Sequence, residues 1–346
     1  MNKLLRMFLL FVAVGGFATV AIVSQEAAPV STQMADAADK FAASLSDDQK
    51  KKLSFDLDDK HRTGWYFTPQ QDNKAMTSTR KGLRFEELSD EQKKLALDLL
   101  KTGTSRTGYN QAVTIMSLEG ILKDTEPKKV GGMIRNPEWY FISFFGKPSK
   151  TGKWGWRFEG HHLSVNFTVD RGQVASVTPF FFGANPAVVK AGDKKGQRTL
   201  PEVEDLARDL IKSLDADQQQ LAFKGEKSFP DVAEATAAAS PGEPVGIVGG
   251  KLDDKQKETL FKLIKAYTDR MPEAIGSAEY NSVKGAGLDK VHFAYTGDTA
   301  PGKPYTYRIQ GPSFIVEFLN VQADGSGNPA NHIHSVWRHL PSDFGL

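Results

Sequence analysis

The sequence contains no cysteine. Disulfides, thiolate metal sites and cysteine nucleophiles are excluded, so stability must come from burial and hydrogen bonding. Beyond its first two dozen residues the chain also lacks any apolar run long enough to cross a bilayer. It has no P-loop, no G-x-G-x-x-G, no G-x-S-x-G and no H-E-x-x-H. The standard nucleotide, dinucleotide, serine-hydrolase and zincin signatures are therefore missing. Charge of either sign is not in excess: 44 Lys and Arg face 42 Asp and Glu, and setting Lys3 and Arg6 aside leaves 42 against 42. A neutral body without a basic run argues against a nucleic-acid partner, which would need phosphate neutralisation.

Those two cations belong to a different kind of sequence. M-N-K-L-L-R is followed by Met7 to Val23 without a charge, a charged segment and then an apolar one, as in export signals. A signal peptide or N-terminal anchor is expected over residues 1–28, with the protein periplasmic, cell-envelope-bound or secreted. Membrane contact is expected only through this segment. A single globular body is expected over residues 45–345.

Within that body one phrase recurs. L-S-D-D-Q-K from Leu45, L-S-D-E-Q-K from Leu88, L-D-A-D-Q-Q from Leu214 and L-D-D-K-Q-K from Leu252 share a spacing. It is that of a capping box: Ser46, Ser89, Asp215 or Asp253 can accept from the N3 amide, while Gln49, Gln92, Gln218 or Gln256 reaches back. Four helix starts follow. After the second and fourth come another helix and then Gly-punctuated aromatic runs of strand type. Gly146, Gly152, Lys153, Arg157, Gly160, Val165 and Phe167 fall in order on Gly297, Gly302, Lys303, Arg308, Gly311, Val316 and Phe318. The expected fold is α+β: antiparallel sheet from a duplicated two-helix plus four-strand unit, with helices on one face. The similar halves run over about 88–190 and 252–340, and residues 229–250, poor in large apolar side chains, read as an exposed linker.

Chemistry concentrates in the histidines. Four of the seven lie in E-G-H-H (His161, His162) and N-H-I-H (His332, His334). Strand alternation from Glu159 puts Glu159, His161, Leu163, Val165 and Phe167 on one face and His162 with Ser164, Asn166 and Thr168 on the other. Both imidazoles then serve one site only if the chain bulges at Gly160. His332 and His334, at i and i+2, share a face and can converge on one ion. In a cysteine-free chain, imidazole and carboxylate are the remaining ligands for a transition metal. His161, His162, His332 and His334 are the candidate metal ligands, for Zn, Cu, Fe or Mn. Histidines acting as acid–base or structural residues are the alternatives. Glu159 and Glu317 are candidate carboxylates, the latter on the strand that a hairpin would bring back to H-I-H. Arg338, like Arg157 and Arg308, follows an aromatic residue and is a candidate anion clamp. Phe180, Phe181 and Phe182 cannot all share a face, so either both faces of the sheet are covered or one ring lines a pocket; a core role is expected.

The phrases W-G-W-R-F-E-G-H-H-L-S-V-N-F-T, F-F-G-A-N-P, Y-R-I-Q-G-P-S-F-I-V-E-F and N-H-I-H-S-V-W-R, followed by D-F-G, resemble the bacterial domain-of-unknown-function family 3500. The resemblance covers about residues 45–345 and implies no activity. Where similar proteins read D-N-T-Q before the H-I-H strand, this chain has Leu319-Asn320-Val321-Gln322. The resulting expectation is a protein that holds a divalent metal and acts on a small molecule by metal-assisted hydrolysis or oxidation. The rival is a non-catalytic binding module with an aromatic and arginine-lined groove.

Overall fold

Each of the four phrases opens a helix through a complete capping box, with the Ser or Asp side chain accepting from the N3 amide and the Gln closing the loop. The computed structural model describes residues 28–126 and 132–346; the expected leader lies outside them except for Ala28. Among the described residues the helices are α1 (Val30–Ala43), α2 (Asp47–Leu53), α3 (Asp90–Thr102), α4 (Arg106–Thr125), α5 (Pro201–Ser213), α6 (Ala216–Ala222), α7 (Asp254–Thr268) and α8 (Glu273–Ala286). None of these helices is long and apolar enough to cross a membrane.

The strands are β1 (Ser54–Phe55), β2 (Gln71–Asp72), β3 (Thr77–Ser78), β4 (Leu83–Arg84), β5 (Tyr140–Phe145), β6 (Trp154–Gly160), β7 (Leu163–Asp170), β8 (Gln173–Ser176), β9 (Phe180–Phe182), β10 (Ile247–Val248), β11 (His292–Gly297), β12 (Tyr305–Gln310), β13 (Phe314–Gln322) and β14 (His332–His339). All but β2 and β3 join one sheet of order β1-β5-β6-β7-β9-β14-β13-β12-β11-β10, with β4 added beside β5 and β8 beside β7. Apart from the short parallel β1–β5 pair, the ladders are antiparallel, and the fold is α+β.

The helices cover one face of this sheet. Trp154, Trp156 and Phe158 alternate toward them, as do Phe180, Phe182 and Trp337, forming one cluster with Leu99, Leu100, Ile115, Leu263 and Ile264. Phe181 points the opposite way, with Leu319 and Val336, and meets Trp65, Phe67, Val232 and Phe344. Both faces are therefore covered, one of the two outcomes that three consecutive phenylalanines allow. The second cover is irregular chain rather than helix. It includes part of the stretch expected to be an exposed linker: Ala235 N donates to Trp65 O at 2.8 Å and Asp343 N to Ala237 O at 2.9 Å. Glu234 is bound by the Phe67 and Thr68 amides at 3.0 and 3.2 Å. Composition marked this stretch as loop correctly, but its backbone bonds make it a lid on the sheet.

A helix pair followed by antiparallel strands occurs twice, α3 and α4 with β5–β9 and α7 and α8 with β11–β14, but four short strands precede the first pair where one, β10, precedes the second. Their cap residues bond alike. The Gln49 amide reaches Glu87 O and the Gln92 side chain at 2.9 and 3.1 Å, and Gln218 reaches Lys251 O and the Gln256 side chain at 2.9 and 2.8 Å. The two parts of the chain meet both in the sheet and between the helices. In the sheet, β9 pairs with β14 through Phe181↔Val336 and Phe180↔Trp337. Between the helices, Ser105 N donates to Arg270 O at 3.0 Å, and Gly108 comes so close that a Cβ there would stand 2.1 Å from the same oxygen.

Candidate metal centre

E-G-H-H does not begin a strand. Gly160 pairs with Leu163, so His161 and His162 are the two residues of the β6–β7 turn. His162 takes a left-handed backbone with φ of 62°, uncommon for a residue with a Cβ. It is fixed from both sides: its N donates to Phe67 O at 2.9 Å, and its carbonyl accepts from Gly183 N at 2.8 Å. The uninterrupted alternation expected from Glu159 fails for this reason. Glu159 pairs with Ser164 and shares its face with Ser164, Asn166 and Thr168, while Leu163, Val165 and Phe167 turn toward the helices. No bulge at Gly160 is involved.

His332 and His334 do share a face of β14, opposite Gln322 and Leu319 of β13 across a ladder that slips between Asn320 and Gln322. At the slip His332 N donates to the Asn320 side chain at 3.1 Å. The preceding loop is anchored by Asn331, which donates to Asp324 at 2.7 Å and to Val188 O at 2.9 Å.

The β6–β7 turn, the end of β9 and the start of β14 meet at one end of the sheet, and His162, His332 and His334 come together there. Their ligand atoms lie within 4.8 Å of one another. His332 Nε2 stands 2.7 Å from His162 Nε2 and 3.2 Å from His334 Nε2. A neutral ring nitrogen carries either one N–H or one lone pair, so His332 Nε2 can align well with one of these partners and only share a weaker contact with the other. Burial is the first reason that both rings stay neutral, with the neighbouring imidazoles adding to it: His162 is held well below the usual imidazole range and His332 is pushed down to about 2. Each neutral ring keeps one nitrogen with a lone pair and one with a proton.

The surroundings orient the rings. His334 Nδ1 donates to the Asp231 carboxylate, 2.8 and 2.9 Å from its two oxygens, which leaves Nε2 as the lone-pair atom. Phe67 meets the His334 ring edge-on at 4.7 Å and stacks on Phe181 at 4.1 Å, keeping water from that side. Gly183 gives room for His162: a Cβ there would meet Ile333 O at 2.6 Å and the His162 ring at 3.0 Å.

The other expected site residues are engaged elsewhere. His161 stacks on His162 with centroids 3.8 Å apart, but its Nδ1 contacts Glu119, so it is excluded from the triad by its own partner. Glu159 is buried between Arg80 and Arg157, each 3.3 Å away, and accepts from Tyr66 N at 3.0 Å. Glu317 is on the triad's face of β13 but pairs with Arg308 at 2.8 Å; burial raises its carboxyl above the usual carboxylate range, and Arg308 offsets only part of that rise. Arg338, fully buried, pairs with Asp343 at 2.7 Å and donates to Ala233 O and Thr236 O at 3.1 and 3.0 Å. Arg157 is likewise buried, against the His61 ring and carbonyl. The three arginines brace the irregular cover and do not line a groove. Leu319, directly opposite His334, lies in the apolar cluster with Phe67 and Phe181, so no carboxylate enters the triad from that position.

Asp231, Glu119 and Gly183 were missed in the sequence. Asp231 lies in F-P-D-V, inside the stretch taken for a linker, and Glu119 is one more polar residue on a helix; neither stands in a motif. A family model described as protein of unknown function (DUF3500) matches residues 27–346. No curated protein and no solved structure matches the chain.

Proposed function

This chain belongs to that DUF3500 family, and we propose that it is a metal-binding protein whose His162, His332 and His334 hold one divalent transition-metal ion for work on a small molecule. The observation that supports this most is the convergence of three imidazoles whose ligand atoms lie within 4.8 Å of one another at one end of the sheet. His334 is set by Asp231 in the carboxylate–histidine arrangement common behind metal ligands. Among the described residues no fourth His, Asp or Glu joins the set, the donor count typical of catalytic sites.

A bound divalent ion would supply Lewis acidity there. The chain's own residues orient the rings, through Asp231 and the Phe67 carbonyl, and shield one side with Phe67 and Phe181. Metal-assisted hydrolysis or oxidation of a small substrate is the chemistry proposed. Arg157, Arg308 and Arg338 are internally paired, so the binding-module alternative would rest on other residues, such as the cleft lined by Arg80, Trp139 and Phe141. Export, proposed from the leader, would put this site in an envelope or extracellular compartment.

The test is metal analysis of the full chain purified without chelators, beside His332→Ala. One transition-metal ion per chain, lost in the variant, is the expected result. A low metal content that does not change in the variant would overturn the proposal.

A further inference from the structure

Building on that metal-binding proposal, we infer that Asn320 is the positioning residue of the triad: held from behind by Glu204, its side chain fixes His332 before any ion binds. Three consecutive amides at the start of β14 go to three different places. Asn331 N donates to Gln322 O at 3.1 Å and Ile333 N to Ala184 O at 2.8 Å. Between them, His332 N falls at the slip in the β13–β14 ladder and donates to the Asn320 side chain at 3.1 Å. That side chain stands in for the main-chain partner that a ladder slip removes. His332 is the ring in contact with both other imidazoles, at 2.7 and 3.2 Å. Whatever fixes its backbone therefore fixes the centre of the triad.

The Asn320 amide fits its site only one way round. A backbone N–H only donates and a carboxylate only accepts, so Oδ1 faces His332 and Nδ2 donates to Glu204 Oε1 at 3.3 Å. Asn320 and Glu204 are 2% and 3% exposed, and water does not compete for either bond. Glu204 is clamped in turn. Its Oε1 also accepts from the Tyr305 hydroxyl and Arg208 at 3.2 and 3.3 Å, and its Oε2 accepts from Arg198 at 3.1 Å. Arg198 opens a second path to the same place. Its backbone bridges to Val188, whose N and O are both gripped by the Asn331 side chain, at 2.8 and 2.9 Å. The first turn of α5 and the loop before it thus hold residues 331 and 332 by two separate routes. Neither route uses a ring nitrogen of the triad.

A residue serving the fold alone would cost stability and leave coordination intact, whereas a positioning residue changes the coordination. The full chain is stripped of metal and loaded with copper(II), a probe whose electron paramagnetic resonance counts bound imidazoles. Three nitrogen couplings are expected in the wild type and two in Asn320→Ala, with copper(II) affinity about 10- to 100-fold lower in the variant. Arg338→Met, the control for lost stability, is expected to keep all three. Three couplings and wild-type affinity in Asn320→Ala would overturn the inference while leaving metal binding intact. Amide exchange on the metal-free wild type supplies a second measurement that needs no variant to fold. The His332 amide should be protected as well as that of Ile333; rapid exchange would mean that its bond forms only around a bound ion, which also overturns the inference. Failure of the wild-type chain to take up copper(II) would remove both proposals.

Discussion

His162 Nε2 and His332 Nε2 stand 2.7 Å apart although the two residues are 170 positions apart in the chain. They come from different halves of the protein, one from the turn ending β6 and the other from the start of β14. What joins them is the middle of the sheet, where β9 lies between β7 and β14. The triad therefore exists only when both halves are folded and paired. An unfolded chain offers no such convergence, so an ion that binds it binds the native state selectively.

Metal should accordingly stabilise the chain. At a free-ion concentration about 100 times Kd, linkage gives roughly 2.7 kcal/mol. Thermal unfolding with and without the ion should show a rise of several degrees in Tm in the wild type and little in His332→Ala. Equal Tm values with and without metal in the wild type would contradict a native-state site.

Asp231 makes a finer test, because its side chain is 40% exposed and its substitution is tolerable for the fold. Asp231→Asn keeps the shape but weakens the acceptor for His334 Nδ1, and its amide can turn a donor toward the ring. Metal affinity should fall about 10- to 100-fold, as for other partners behind metal ligands. Metal-free stability should change by less than about 0.5 kcal/mol. A titration indistinguishable from wild type would show that the carboxylate does not tune the site.

Much of this fold is written locally. Each S/D-x-x-Q phrase carries its own mechanism, so the four helix starts were legible, and the i, i+2 spacing of His332 and His334 placed them on one face. His161 and His162 were harder. Period-2 alternation presumes a continuous strand, and nothing in E-G-H-H-L-S announces a two-residue turn, since neither turn residue is Gly, Asn or Asp. The turn is imposed from outside, by the Phe67 carbonyl and the Gly183 amide. Asp231 was illegible for a related reason: irregular chain has no period, and its place over the sheet depends on partners such as Trp65 and Arg338, far away in sequence. Glu159 and Arg338 drew attention as charges beside the histidines, but buried ion pairs carry the same residue types as catalytic sites.

Gly183 tests how tightly the triad is held. A methyl group there would press on the Ile333 carbonyl and the His162 ring at 2.6 and 3.0 Å. Backbone on one side cannot yield freely, so Gly183→Ala should displace the imidazole. A cost of about 1–3 kcal/mol is expected, together with a loss of metal affinity larger than that in Asp231→Asn. Denaturant unfolding and a metal titration on the same preparation check both. Unchanged affinity would mean that the ring has slack.

Arg338 and Asp343 should behave as structure rather than as site. Both side chains are fully buried and 2.7 Å apart, and the guanidinium also ties down Ala233 and Thr236. Removing one partner leaves the other charge unpaired, so Arg338→Met should destabilise the fold by about 3–5 kcal/mol. In the fraction that remains folded, the metal-to-protein ratio should equal that of wild type. Loss of metal from well-folded Arg338→Met protein would restore Arg338 as a site residue.

Two histidines away from the triad should give pH dependences of opposite sign. His339 contacts Glu279 at 2.9 Å; burial lowers its pKa, but the bond to Glu279 and the charges of Glu279 and Asp343 outweigh it, leaving a net rise above 6.5. The native state holds that proton more tightly, so His339 contributes fully below about pH 6.5 and loses its contribution as pH rises through the raised value. His61 is the reverse. Burial, then the charges of Arg157, Lys81 and Arg80, lower it from 6.5 to about 3. Its neutral form belongs to the fold, so its contribution is present above about pH 6.5 and is lost as pH falls toward about 3. Urea unfolding of the metal-free chain across this range, beside His339→Gln and His61→Gln, isolates each term because the other titrating groups cancel in the difference. The stability gap between wild type and His339→Gln should narrow toward alkaline pH, and that for His61→Gln should narrow toward acid. Gaps that stay constant with pH would assign both histidines to packing alone.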